Sequence, residues 1–282
     1  MPSDPSPRCQ NLARLGWQLD FPVKPLLVIP ELVVADWYCP GETRTWSPER
    51  ARYHQIELPI RGAHVRRFGR AQSIVDATQV AVDRPGEEFA LRSPSAHAQR
   101  STLVFWRGDL AAELDRAGPA RVRSISAFAA RLHLAVLASR DTMEMEERAL
   151  TMIHHLTGGE SVFATASRCS PAWRRLAEDA RHVLATRYAE RLTIADLAVA
   201  CKSSPFHLSR VFRAVYGVTL HRQLNRVRLR ASLFELRHGS DDLVRIALDA
   251  GFSSHSHFAR AFRLEFGVTP SACRASPVDR SW

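Results

Sequence analysis

A segment near the C-terminal end of the chain occurs twice, and this repeat limits the fold more than any other feature. Residues 208–213 read LSRVFR and residues 258–263 read FARAFR, and each copy then closes on Gly-Val-Thr. Upstream, residues 197–198 (LA) match residues 246–247 (IA) with an offset of 49 instead of 50 residues. The one-residue slip lies where a turn would join two helices, so the repeat predicts two helix-turn-helix units.

The spacing of apolar residues within each copy predicts a helix with one buried face. The apolar positions that share a face of a 3.6-residue helix are Leu208, Val211, Phe212 and Val215 in the first copy, and Phe258, Ala261, Phe262 and Phe266 in the second. Each opposite face carries two arginines three residues apart. Ser204 in the first copy and Ser253 or Ser254 in the second are the N-cap candidates, and Gly217 and Gly267 stand where a left-handed residue ends a helix.

The positive charge of the chain is concentrated in the part that carries the repeat. The whole chain has a net charge of +10. Residues 171–282 hold 18 Lys and Arg against 10 Asp and Glu, whereas residues 1–170 hold 21 against 19. A basic domain attracts phosphate backbones, so this distribution favours nucleic acid over a merely soluble basic surface.

The rest of the chain predicts an α+β protein with two domains. Strand-like patterns cover residues 26–34, 56–60, 73–82 and 102–106, with a turn at 84–86, which favours a small antiparallel β structure. Helical patterns follow at 122–139 and from 141, and then at 171–191, 193–200, 204–216, 219–237, 241–250, 254–266 and from 269. We therefore expect a β-rich, sensor-like domain with helices over 1–157, a linker over 158–171, and an all-α domain over 172–282 in which a long helix joins the two motifs.

Nothing in the sequence predicts a membrane span or a secretion signal. There is no run of 18 apolar residues, and residues 1–10 are polar and rich in proline. The expected location is the cytoplasm.

Residues 174–275 resemble the DNA-binding domain of AraC/XylS-type transcriptional regulators. The resemblance rests on the repeat itself, on residues 228, 229 and 231 (Arg, Leu, Ala) between the copies, on residues 251–254 (GFSS), and on residues 267–270 (GVTP). One departure is in the turn of the first motif, where Cys201, Lys202 and Ser203 replace the family's glycine and following apolar residue. Either this lysine occupies a left-handed turn under strain, or the turn differs locally and changes the angle of the first recognition helix.

The resemblance implies which side chains contact DNA. In the family, residues near the start of each recognition helix read base edges, and here these are Phe206, Ser209 and Arg210 in the first motif and His255, Ser256 and Arg260 in the second. Arginine can bond guanine with two hydrogen bonds, and phenylalanine can touch a thymine methyl group. Arg213 and Arg263 are better placed for phosphates. For each of these residues the alternative is a solvated helix face, and for His207 and His257 packing is favoured over contact.

Between the motifs, four arginines crowd the joining helix. Arg222, Arg226, Arg228 and Arg230 either neutralise phosphates or pair with Glu235 and Asp241. The resemblance implies a structural role for Arg228, which would brace the two motifs.

The partners implied by the resemblance are double-stranded DNA, a small-molecule effector of unknown identity, RNA polymerase and a second copy of the chain. Two apolar stripes are candidates for the dimer interface. They comprise Phe128, Leu132, Ala135 and Val136 in one helix, and Met145, Ala149, Met152 and Ile153 in the next. The alternative is that both stripes cover the β structure of the same chain.

A metal-dependent enzyme and an architectural DNA binder are the two alternatives to a transcriptional regulator. His54, His64 and His97 could be metal ligands of an enzyme on a cupin-type β scaffold, but their spacing matches no ligand motif, and GxSxG, P-loop and HExxH patterns are absent. His255 and His257 are two apart and do not share a helix face. An architectural DNA binder is the other alternative, although it would not need about 170 further residues. We therefore expect no enzymatic activity, no catalytic residue, no metal and no cofactor.

Overall fold

The structure is a computed structural model, and it describes residues 12–39, 43–93, 98–108, 111, 122–139, 141–157, 169–238 and 241–275. The N-terminal part forms two antiparallel sheets that pack against each other. Its strands are β1 (Lys24–Val28), β2 (Leu32–Cys39), β3 (Thr43–Arg50), β4 (His54–Arg61), β5 (Ala63–Phe68), β6 (Ala71–Asp76), β7 (Gln79–Asp83), β8 (Glu88–Ser93), β9 (Gln99–Trp106) and β10 (Val122–Ser124). One sheet has the order β1-β2-β9-β4-β7-β10 and the other β3-β8-β5-β6. The predicted antiparallel β structure is confirmed.

Two of the predicted strands are in fact pairs of strands. Residues 26–34 span the end of β1, a turn and the start of β2, which pair with each other. Residues 73–82 span β6 and β7, which belong to different sheets. The prediction of a single strand over 26–34 was wrong because the start of β2 is buried on both faces. Its residues therefore do not alternate between polar and apolar, which is the pattern by which a separate strand is recognised. The strands at 56–60 and 102–106 and the turn at 84–86 are confirmed, within β4, within β9 and before β8.

A network of charged side chains is buried where the two sheets face each other. Arg66 donates to Asp83 at 2.6 Å and lies 3.5 Å from Glu57, which is 3.4 Å from His64. Burial alone would raise the pKa of Glu57, but His64, Arg66 and Ser101 lower it to about 2. Burial raises the pKa of Asp83, against the effect of Arg66. The network therefore joins the two sheets through buried polar side chains.

Two helices cover one face of the larger sheet. They are α1 (Ala127–Ala138) and α2 (Thr142–Thr157). The prediction of one helix over 122–139 was wrong at its start, because residues 122–124 add strand β10 to β7 and Ser126 caps α1. Helix α2 is confirmed. Its apolar stripe, Met145, Ala149, Met152 and Ile153, is buried in the core of the same chain, together with Val136 of α1. For these five residues the alternative of covering the β structure is the correct one.

The C-terminal part is entirely helical among its described residues. Its helices are α3 (Pro171–Thr186), α4 (Ile194–Ala200), α5 (Pro205–Tyr216), α6 (Leu220–His238), α7 (Leu243–Asp249), α8 (His255–Phe266) and α9 (Pro270–Ala275). Helix α3 ends five residues earlier than predicted, whereas the two short helix pairs and the long helix α6 lie where the repeat predicted them. The α+β class is confirmed. The predicted linker lies mostly outside the described residues.

The helical part packs directly on the β-rich part. The apolar core that contains Met152 of α2 also contains Leu229 and Leu233 of α6 and Phe258 and Phe262 of α8. The contact is also polar, since Arg181 of α3 donates to Asp76 of β6 at 2.9 Å, and both side chains are almost completely buried. The two parts therefore share one buried interface. In the described part of the chain, no helix combines the length and hydropathy that crossing a membrane requires.

Candidate nucleic-acid interface

Each helix-turn-helix motif begins and ends on the residues that its sequence predicts. Thr193 and Asp196 form a capping box at the start of α4, in which the Thr193 hydroxyl accepts from the Asp196 N–H at 3.1 Å. The Ser204 hydroxyl caps α5, and the Ser254 hydroxyl caps α8. Both recognition helices then end on a left-handed glycine, Gly217 with φ 71° and Gly267 with φ 77°. The two copies therefore share local structure as well as sequence.

The turn of the first motif has the same geometry as that of the second, despite its lysine. Lys202 has φ 50° and stands 49 residues before Gly251, which has φ 87°. The N–H that follows each of them bonds to an equivalent carbonyl, Ser203 to Ala198 and Phe252 to Ala247, both at 2.9 Å. Lys202 is exposed. Of the two alternatives, the left-handed lysine is the correct one, and the first recognition helix leaves its turn in the same way as the second.

Gly251 is necessary for a different reason. A Cβ atom at this position would lie 2.7 Å from the Tyr188 carbonyl oxygen, which belongs to the loop after α3. Arg228 of α6 donates to the same oxygen at 2.7 Å and to the Glu190 carbonyl at 2.8 Å. One loop of the first motif therefore packs on the turn of the second, and Arg228 holds it there. This is the bracing role that the resemblance implied for Arg228.

Helix α5 presents a continuous exposed stripe. Leu208, Val211, Phe212 and Val215 are buried, as their spacing predicted. Phe206, Arg210 and Arg213 are exposed at positions i, i+4 and i+7, and the Phe206 side chain has 78% of its surface accessible. Ser209 lies beside this stripe and is half-buried. Phe206 and the two arginines therefore lie together on one exposed face of α5.

Helix α8 presents the equivalent stripe. Ser256, Arg260 and Arg263 are exposed at i, i+4 and i+7, fifty positions after their counterparts, and His255 is half-buried at the first helical position. The sequence analysis missed Leu264, which is 89% exposed and follows Arg260 by four residues. The sequence does contain a signal for this exposed residue, because Leu264 is apolar and lies outside the buried stripe of its own helix.

The arginines of α6 are only partly available to DNA. Arg222 is exposed, but Arg228 and Arg230 are buried. Arg226 and Arg230 lie 3.3 and 3.5 Å from Glu265 of α8. Burial and the nearby Arg226 together lower the pKa of Arg230 to about 9, against the effect of Glu265. The predicted partners Glu235 and Asp241 were wrong for these two arginines, because the last turn of α8 brings Glu265 to the same side of α6. Part of the net charge of residues 171–282 is therefore neutralised inside the protein.

The two recognition-helix histidines lie against aromatic rings. His207 contacts the edge of Trp173 at a centroid distance of 6.3 Å, and His257 contacts Phe252 at 5.4 Å. Packing was the favoured prediction for both.

The histidines considered as metal ligands are placed apart. His54 stacks on Trp106 at 5.6 Å, His64 faces Glu57, and His97 lies outside the described residues. Within the described ranges, no group of three His, Cys, Asp or Glu side chains could hold a metal ion.

Comparison with known proteins identifies similarities in the C-terminal part. Residues 197–276 match the family described as a helix-turn-helix domain. The chain is 29% identical over 117 residues to the "Bifunctional transcriptional activator/DNA repair enzyme AdaA" of Bacillus subtilis, a match that covers 40% of this chain and 56% of that protein. It is 40% identical over 67 residues to the "HTH-type transcriptional activator RhaS" of Escherichia fergusonii, which covers 24% of each chain. The chain thus spans about half or less of the length of these two relatives.

Among solved structures, one similar chain is ToxT of Vibrio cholerae with a bound unsaturated fatty acid. The match has 13% identity and a TM-score of 0.34, and it covers 86% of this chain and 95% of ToxT.

Proposed function

We infer the function from one premise, that the C-terminal part of this chain is a helix-turn-helix domain of the AraC/XylS type. We propose that the protein is a sequence-specific regulator of transcription that binds double-stranded DNA. The observation that carries this proposal is the pair of equivalent exposed stripes on α5 and α8, each with two arginines three residues apart. Two separate helices with the same exposed chemistry are suited to two similar ligands, and successive major grooves of one duplex are such ligands.

Within this proposal, the site residues have different roles. Phe206, Ser209 and Arg210 of α5, and His255, Ser256 and Arg260 of α8, read base edges because they lie in the first half of each helix. Arg213 and Arg263 lie one turn further along and contact phosphates, which position the protein without specifying sequence. The exposure of both stripes supports this assignment.

The β-rich part is proposed to respond to a small-molecule effector. Its buried contact with the first motif supports this. Asp76 and Thr78, at the turn between β6 and β7, bond to Arg181 of α3, and Thr78 also accepts from Gln223 of α6 at 3.0 Å. A change in the two sheets would therefore reach the helix that joins both motifs. Such a buried contact has two discrete states, bonded and broken, which is what coupling between distant sites requires.

A second contact leads from the β structure to the first recognition helix itself. Glu178 of α3 accepts from the Ile74 N–H of β6 at 2.9 Å and from the Tyr216 hydroxyl at 2.7 Å, and Tyr216 is the last residue of α5. Burial raises the pKa of Glu178, against the effects of Tyr216, Arg181 and the Ile74 N–H. One carboxyl group thus links an edge strand to the end of α5.

Further partners follow from the same proposal. A second copy of the chain would pair two DNA-binding domains and raise the effective concentration at double sites, and RNA polymerase would be contacted at a promoter, in the cytoplasm. We also propose domain limits of 1–157 and 172–282, joined by 158–171; every described strand lies before residue 157, and both helix-turn-helix motifs lie after residue 172. We propose no enzymatic activity, since the exposed arginines serve DNA binding.

The experiment that tests the proposal is selection of bound duplexes from a randomised double-stranded DNA library by the full chain. We expect one enriched motif with two subsites. Affinity for the enriched duplex should fall steeply with salt, with a log–log slope of roughly −4.5 to −7 if about five to eight phosphates are neutralised. No enriched motif, or an affinity that does not depend on salt, would refute the proposed function.

Variants separate base readers from phosphate contacts. Arg210→Ala and Arg260→Ala should each weaken binding to the enriched duplex by about 1–3 kcal/mol and relax the preference at one subsite, because each removes a two-pronged donor from a base. Arg213→Ala is the matched control in the same helix, and it should weaken all duplexes alike. Repeated selection with each variant measures this. An unchanged motif for both Arg210→Ala and Arg260→Ala would show that other residues read the bases.

A further inference from the structure

The start of α3 places an aromatic ring beside one of the two proposed base-reading arginines. The Ser170 hydroxyl caps α3 by accepting from the Trp173 N–H at 3.3 Å, which fixes Trp173 in the first turn. Its side chain is half-buried and packs against the apolar core of the first motif. The Arg210 guanidinium lies 5.3 Å from the centre of the Trp173 ring. This distance is within the range of a cation–π interaction, for which tryptophan is the best acceptor.

His207 completes the cluster on the same side. Its ring meets the Trp173 ring edge-on, with an interplanar angle of 81°. Its Nδ1 atom lies 3.5 Å from Nη2 of Arg210, one helical turn along α5. Although Arg210 is exposed, its charged end is therefore bordered by two rings that belong to different helices.

The second motif lacks this arrangement. Arg260 is the counterpart of Arg210, and among the described residues the structure gives its side chain no hydrogen bond and no ring contact. The ring of His257, the counterpart of His207, lies against Phe252. The two proposed readers thus differ in how firmly the protein holds them, although their helices are equivalent.

We propose that Trp173 is a positioning residue for Arg210, which it holds extended and oriented for a guanine in the first subsite. This inference rests on the proposed function. A free arginine loses much of its rotamer freedom when it bonds to a base, and a guanidinium that already stacks on a ring loses less. The first motif therefore reads its subsite with a preorganised arginine, and the second with a mobile one. The guanidinium carries several N–H donors and Arg210 is exposed, so donors remain available to the base.

A double-mutant cycle in the full chain tests this role. Trp173→Leu retains an apolar side chain against α5 but has no ring. On the enriched duplex we expect Trp173→Leu to weaken binding about two- to five-fold, the range of an exposed cation–π contact. In the Arg210→Ala background the same change should have no effect. In the Arg260→Ala background, the matched control, the two- to five-fold loss should persist. Repeated selection should show that Trp173→Leu relaxes preference only where Arg210→Ala does.

The other outcomes are also decisive. An equal loss in both arginine backgrounds would mean that Trp173 only packs the domain, and tighter binding by Trp173→Leu would mean that the ring holds Arg210 away from DNA. Either would overturn the inference alone and leave the proposed function intact. If Arg210→Ala itself leaves the motif unchanged, the assignment of Arg210 falls and this inference falls with it. If Trp173→Leu fails to fold, the cycle is measured with Trp173→Phe instead. We expect this variant to lose less affinity for the enriched duplex, and that loss must also disappear in the Arg210→Ala background.

Discussion

Asp76→Ala should lower the free energy of unfolding of the full chain by about 3–5 kcal/mol, the usual cost of leaving one charge of a buried pair without its partner. Arg181 donates to both carboxyl oxygens of Asp76, at 2.9 and 3.2 Å, and the two side chains are 3% and 0% exposed. Burial alone would lower the pKa of Arg181, but Asp76 raises it above its ordinary value. Arginine keeps its charge in proteins, so removal of Asp76 leaves a buried guanidinium without its carboxylate partner. Equilibrium denaturation in urea measures the change.

Two controls separate the ion pair from the loss of a side chain. The double variant Asp76→Ala, Arg181→Met should be more stable than Asp76→Ala alone, because it also removes the uncompensated charge. Arg245 and Asp249 form an exposed pair at 2.9 Å, with 68% and 55% of their side chains accessible. Arg245→Ala should leave the free energy of unfolding nearly unchanged. If Asp76→Ala were no more destabilising than Arg245→Ala, the buried pair would not hold the helical part on the β-rich part.

The helical part of the fold could be predicted from sequence because its signals are local. Ser204 and Gly217 bound α5 through bonds to residues within one turn, and the repeat provided an independent check on each boundary. The left-handed Lys202 was one of two alternatives that alignment with Gly251 indicated. These features depend on interactions between residues that are close in the sequence, so they can be predicted from one sequence alone.

The β-rich part was harder to predict because its turns and faces depend on distant residues. The turn between β6 and β7 contains neither Gly nor Pro, and its Thr78 accepts from Arg181 and Gln223, more than a hundred residues away. The start of β2 is buried on both faces, one against α1 and α2 and the other against residues 12–23, so alternation of polar and apolar residues is absent. Periodicity cannot reveal a contact that only the tertiary fold creates.

The same distinction applies to the candidate site. The exposed arginines of both recognition helices follow from helical spacing. The burial of Arg230 does not, since its partner Glu265 comes from α8. Likewise Trp173, 37 positions before Arg210, has no sequence pattern that links it to a recognition helix. The helix face on which each arginine lies could be predicted, but the residues of other helices that contact it could not.

Helix α6 determines the distance between the two recognition helices, and its middle is the point of greatest sensitivity. Leu220 and Leu224 pack in the apolar core of the first motif, whereas Leu229 and Leu233 pack in the core that contains α8. Asn225 lies between these two groups and is half-buried. A straight helix at this point keeps the two motifs in a fixed relative orientation, and subsites on one face of the duplex should then be about one turn apart, roughly 10 bp.

Asn225→Pro should therefore abolish specific binding by the full chain. Proline removes the backbone N–H that bonds to the carbonyl four residues earlier, and its ring clashes with that carbonyl, so the helix kinks or breaks at a cost of about 3 kcal/mol or more. Asn225→Ala is the control, since it keeps the helix and should leave specific affinity nearly unchanged. Gel shift on the enriched duplex measures affinity, and footprinting measures the subsite spacing. Insertion of about half a turn of DNA between the subsites should mimic the proline variant with the wild-type protein, because it rotates one groove away from its helix. Wild-type affinity for Asn225→Pro, or footprints half a turn apart, would contradict a rigid α6 as the element that sets the spacing.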